Sequence, residues 1–114
     1  MGLKIVSIKS SFPSKYKNLN SEKYRKTIQA TGINKRYLSS EKENVISLSI
    51  KSAKKVLNDK LKKKISFLLF VSQTSPYKFP SISCILQNEL NLPKNIYAVD
   101  INMGCSGYIY ALKL

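Results

Sequence analysis

The sequence predicts an α/β fold, a mostly parallel sheet with helices on both faces. Three observations carry that prediction. Two near-continuous apolar runs of strand length, Ile65–Val71 and Ile96–Ile101, read as strands covered on both sides. Helix-period segments precede the first run and separate the two, which calls for crossovers rather than hairpins. The 114 residues, 43% hydrophobic and 23% charged, can build the core of one domain.

Taken in order, residues 3–8 alternate with apolar side chains on both faces and read as a first buried strand, ended by Ser11-Phe12-Pro13-Ser14. Asn20-Ser21-Glu22 opens a short helix to about Gln29, and Thr31-Gly32 breaks it. Ile33 to Leu38 reads as extended. Asn44 caps a clearer helix to about Asn58, with Ile46, Ile50, Ala53 and Leu57 on one face of a 3.6-residue period. Asn58-Asp59 and the cluster Lys60, Lys62, Lys63, Lys64 then form a turn into the first apolar run. Pro80 suits the first turn of a helix through about Leu90, and Asn91-Leu92-Pro93 stops it. A last helix starts near Cys105. The chain stops at Leu114, about two turns into that helix, which predicts one partial domain over residues 1–114.

Charge and residue counts exclude several functions. Twenty basic residues against six acidic ones give a net charge of +14. Only Arg25 and Arg36 are arginines, the residue that best grips phosphates and bases, and the lysines are scattered. The charge invites a nucleic-acid reading, these two features weaken it, and an acidic protein partner is equally compatible with the charge. The longest apolar run, Phe67–Val71, falls far short of the roughly 20 residues of a membrane span. No long apolar segment follows Met1, so a secretory signal is not expected and a cytoplasmic location is. Two cysteines and no histidine leave no metal-ligand cluster and no complete Cys-His or Ser-His catalytic machine.

Chemistry concentrates in Asp100-Ile101-Asn102-Met103-Gly104-Cys105-Ser106-Gly107-Tyr108, which joins a buried strand to a helix. Cys105 falls at or near a helix N-terminus, where free N–H groups favour a thiolate. Gly104 and Gly107 permit a sharp turn. The competing reading makes Cys105 a small buried apolar residue. Cys84 reads as an inert core thiol, and Tyr108 and Tyr110 as packed residues.

The segment from Asp100 to Leu112 closely resembles the nucleophile segment of the β-ketoacyl-acyl-carrier-protein synthase III family. Three further segments agree in order: Thr31-Gly32-Ile33-Asn34-Lys35-Arg36, Thr74-Ser75-Pro76-Tyr77-Lys78-Phe79-Pro80-Ser81, and Gln87-Asn88-Glu89-Leu90-Asn91-Leu92. In the last, Asn91 stands where the family has glycine, a mild change because asparagine tolerates the left-handed conformation.

The resemblance implies a thiolase-like fold, with this chain as the first part of its N-terminal half. It implies an acyltransferase in fatty-acid or related biosynthesis. Cys105 would take an acyl group as a thioester, and a malonyl-type extender on acyl carrier protein would then be decarboxylated and condensed with it. No cofactor is implied beyond the substrates, acyl-CoA or acyl-ACP, and a homodimer is expected. Phe79 matches a residue that reaches into the partner's substrate channel; core packing is the competing reading. Met103 would shape the acyl pocket or fill a core gap, and Arg36 would hold a loop or meet an acidic carrier.

The family's catalytic histidine and asparagine have no counterpart here, so the chain alone should not condense. Lys26 and Ala30 replace the family's coenzyme A clamp, which favours a carrier-bound or specialised donor. The rival from another class is a non-catalytic basic module that binds an acidic carrier or nucleic acid.

Overall fold

Each strand of the structure answers to a backbone pairing, and the pairings differ from the alternation in one place. The computed structural model describes residues 4–114. Of the first expected strand, residue 3 lies outside the described residues. Lys4 to Ile8 is exposed and forms no strand. An alternating segment becomes a strand only where another backbone accepts from its N–H groups and donates to its C=O groups, and among the described residues no backbone does so for residues 4–8. Ile5 and Ile8 instead line a groove with Val45 and Leu48 of the following helix and Leu69 of a strand.

A hairpin comes first. Strand β1, Lys15–Asn18, pairs antiparallel with β2, Lys35–Leu38, setting Tyr16 opposite Tyr37. Only the second of these was expected. The sequence between them folds into a 3₁₀ turn, Glu22–Tyr24, and helix α1, Arg25–Thr31. Gly32 ends α1 with φ of +70°, where a side chain would be strained, and its N–H donates to the Ile28 carbonyl at 2.8 Å. The Glu43 carboxylate ties both ends of the hairpin together. It accepts from the Ser14 N–H at 2.9 Å and from the Ser40 hydroxyl at 3.1 Å. The Ser14 N–H above all holds the Glu43 pKa below its ordinary value; partial desolvation opposes this, and Ser40 adds to it.

Helix α2 runs Val45–Lys54, shorter than the periodicity suggested. Its start is the expected one: the Asn44 side chain accepts from the Ser47 N–H at 2.9 Å, and the Ser47 hydroxyl accepts from the Asn44 N–H at 3.0 Å. The expected turn over the lysine cluster is a one-turn helix, α3, Asp59–Lys62, because Asn58 caps it by accepting from the Leu61 N–H.

Strand β3, Phe67–Val71, and strand β4, Tyr97–Ile101, then pair in parallel, Phe67 opposite Tyr97 through Val71 opposite Ile101. Helix α4, Ile82–Glu89, is the crossover between them. Ser81 is its cap residue, so Pro80 stands just outside the first turn where it was expected. The sheet is thus narrower than expected: one parallel pair, plus a separate antiparallel hairpin.

The core is Phe70 of β3 with Ile82, Leu86, Leu90 and Leu92 of α4 and its exit. Ile46, Ile50, Ala53 and Leu57 pack against it, so α4 is held between the strand pair and α2. The exit from α4 is a Schellman turn. The Leu92 N–H reaches the Gln87 carbonyl at 2.9 Å and the Asn91 N–H reaches Asn88 at 3.0 Å, with Asn91 at φ of +51°. That is the left-handed position the sequence assigned to Asn91.

The last helix, α5, Gly107–Lys113, meets β3. Tyr108 and Tyr110, expected to pack, are 54% and 57% exposed. Much else is uncovered. The radius of gyration is 16.7 Å, against about 13 Å for a compact chain of this length.

Two outcomes follow. Asn91→Gly should leave the thermal midpoint unchanged or raise it, whereas Asn91→Val should lower stability by about 1–2 kcal/mol, since a β-branched residue is strained at positive φ. A carboxylate with a lowered folded-state pKa stabilises above its unfolded value, and that contribution is lost as pH falls through the folded value. Acid should therefore loosen the hairpin anchor below about pH 4.5. Glu43→Gln should abolish that part of the pH dependence of the thermal midpoint.

Candidate active site

Parallel strands present their open ends together, and the C-terminal edge of β3 and β4 is where loops can build a site. The Ile101 carbonyl at the end of β4 accepts from Ser72, just past β3, and from Met103, both at 3.1 Å. The chain therefore turns immediately after β4. The next turn closes when the Gly107 N–H reaches the Gly104 carbonyl at 2.9 Å. Cys105 occupies the middle of that turn, two residues before α5 begins.

Its thiol is free and exposed. Among the described residues the Cys105 N–H donates to no acceptor, so it remains available to an oxygen beside the sulfur.

Gly107 is what lets this turn sit so close to the sheet. A Cβ there would lie 2.7 Å from Val71 Cγ1 and 3.0 Å from Met103 Cβ. Any side chain would push α5 off the end of β3. Gly104 lies under Gln73, whose Oε1 would be 3.4 Å from an added Cβ. Gln73 thus links the loop after β3 to the Cys105 turn.

That loop, residues 72–81, carries Phe79. The ring is 89% exposed. Met103 is half-buried in the turn itself. Arg36 is elsewhere: it is exposed on β2, in a sheet that shares no ladder with β3 and β4. The structure therefore brings Cys105 and Met103 into one turn with the Phe79 loop on the same edge, and leaves Arg36 out. Cys84 is exposed on α4, against the expectation of a core thiol, because its helix face turns away from Ile82 and Leu86.

Two contributors were not singled out from the sequence. The Asp100 carboxylate accepts from the Ile82 and Ser83 N–H groups, each at 2.7 Å. Its signal was a charged residue at an inward position of an otherwise apolar strand. Gln73 gave no signal at all.

Gly107→Ala should cost about 1–3 kcal/mol, as overpacking does. Val71→Ala in the same chain should recover part of that loss, because Val71 Cγ1 is the nearest clash. Urea unfolding of the two single variants and the double variant checks this.

No family model matches the chain. It is 44% identical over 86 residues to a protein of Clostridium perfringens named beta-ketoacyl-[acyl-carrier-protein] synthase III. That match takes in 74% of this chain and 26% of the relative, so the chain spans about a quarter of its length. Among solved structures it resembles the 3-oxoacyl-(acyl-carrier protein) synthase of Burkholderia xenovorans, with a TM-score of 0.78 and 33% identity over 93% of this chain and 34% of that one. It also resembles the 3-oxoacyl-[acyl-carrier-protein] synthase III of Aquifex aeolicus, with a TM-score of 0.80 and 29% identity over 98% of this chain and 38% of that one.

Proposed function

This chain belongs in sequence and thiolase-like fold with the β-ketoacyl-[acyl-carrier-protein] synthase III enzymes, and we propose that it supplies the acyl-accepting part of such a condensing enzyme. The observation that supports this most is the exposed Cys105 thiol in the turn at the C-terminal edge of β3 and β4, with its own N–H unclaimed.

In the proposed step the Cys105 thiolate attacks the carbonyl carbon of an acyl thioester. A carbon–sulfur bond to Cys105 forms, and the donor's carbon–sulfur bond breaks. The donor thiolate leaves and takes up a proton, whether it is coenzyme A or a carrier protein's prosthetic thiol. The negative oxygen of the tetrahedral intermediate falls to the Cys105 N–H, and losing one such donor in comparable sites costs on the order of a hundredfold in rate. Met103 shapes the floor of the acyl pocket and Phe79 its rim. No metal or cofactor enters the step. Decarboxylation of the extender needs groups this histidine-free chain does not carry, so alone it stops at the acyl-enzyme.

Delivery of the acyl group by an acidic carrier protein suits the surface. With a net charge of +14, encounter is accelerated by long-range attraction. Arg36, with Lys15, Lys17 and Lys35 on the hairpin, contributes to that surface rather than to the acyl pocket. From the resemblance to these enzymes, we propose a cytoplasmic homodimer as the working form. Among the described residues, no helix is long and apolar enough to cross a membrane.

Intact-mass measurement after incubation with acyl-CoA or acyl-carrier protein tests the reading. One acyl group should appear on Cys105, persist in Cys84→Ser and vanish in Cys105→Ser. No adduct, or one carried by Cys84, would contradict it. Carrier affinity should fall as ionic strength rises from about 0.01 to 0.15 M, the range over which the Debye length shrinks from roughly 30 to 8 Å.

A further inference from the structure

Helix α4 begins without a local cap: Ser81 holds the cap position, but its side chain makes no capping hydrogen bond. The first-turn N–H groups of Ile82 and Ser83 go instead to the two carboxylate oxygens of Asp100, one each at 2.7 Å. Asp100 makes no ion pair among the described residues, so these donors and the positive end of the helix are what its charge meets. A serine cap would have fixed the helix alone. A carboxylate from β4 fixes the helix to the strand that runs on to Cys105.

The loop 72–81 is thereby fastened at both ends to neighbouring residues of that strand. It leaves at Ser72, whose N–H is held by the Ile101 carbonyl at 3.1 Å. It returns at Ile82 and Ser83, held by Asp100. From the same two strand residues the chain turns through Met103 and Gly104 into Cys105, and Gln73 of the loop reaches over Gly104.

Resting on the reading of Cys105 given above, we propose that Asp100 is a positioning residue that sets the Phe79-bearing loop against the Cys105 turn. It touches neither the acyl group nor the sulfur, and acts through the backbone at one end of the loop.

Asp100→Asn keeps the shape but offers one acceptor oxygen in place of two, and Asp100→Glu keeps the charge on a longer stem. In a Cys84→Ser background, amide exchange in residues 73–83 should quicken by about tenfold or more in Asp100→Asn, while α2 stays protected. The rate of Cys105 alkylation by iodoacetamide should change in the same variant, and Asp100→Glu should restore part of both. A lowered thermal midpoint with loop exchange and Cys105 alkylation unchanged would overturn the proposal, leaving Asp100 a role in folding alone. Failure of both variants to fold would overturn it equally, since a residue that only positions a loop leaves β3 and β4 paired. A missing acyl adduct in the unaltered protein would sink the acyl-transfer reading while leaving these two readouts as they are.

Discussion

The parallel pairing of β3 and β4 is the constraint on which the rest of this structure depends. Parallel strands cannot be joined by a tight turn, so the chain must cross over, and α4 is that crossover. Both strands then end at the same edge, and whatever follows each of them is brought side by side. The loop carrying Phe79 and the turn carrying Cys105 are neighbours for that reason and not because they are close in sequence. Two local choices tighten the arrangement. Gly107 lets α5 start against Val71, and the Ile101 carbonyl serves both the loop and the turn.

The core packs against the strands that form this edge. Phe70, Ile82, Leu86, Leu90 and Leu92 lie between α2 and the strand pair, directly behind the site. Away from that core the chain exposes apolar surface freely: Tyr97 and Val99 on β4, and Tyr108, Ile109 and Tyr110 on α5, are all at least two-fifths exposed. The accessible surface of 9332 Å² compares with roughly 6300 Å² for a compact monomer of this mass. Several of these exposed apolar side chains follow one another along one edge of the molecule. They lie on the strand pair and α5, beside the site rather than remote from it.

Much of this was legible in the sequence, for reasons that can be named. The runs Ile65–Val71 and Ile96–Ile101 declared themselves because a parallel strand buried on two sides needs apolar residues throughout. Asn44 and Asn91 declared a helix start and a left-handed exit because few residues do either well. The glycines around Cys105 declared a tight turn. What could not be read depended on partners distant in sequence. Residues 4–8 alternate as a strand does, yet alternation cannot report whether a neighbouring backbone is present. Lys15–Asn18 is polar on both faces and becomes a strand only because Lys35–Leu38 lies beside it. Asp100 looked like one letter of a motif until the first turn of α4 was seen to end on its carboxylate. Exposure of Cys84 and Phe79 likewise depended on which helix face and which loop met the core.

In the proposed acyl transfer, the Cys105 turn holds a thioester carbonyl against its own backbone. A crystal structure of the chain carrying an acyl group on Cys105 tests it most directly. The thioester oxygen should lie about 2.7–3.1 Å from the Cys105 N–H, with the loop 72–81 along the acyl group. A thioester whose oxygen points into solvent, with the Cys105 N–H still unclaimed, would contradict it.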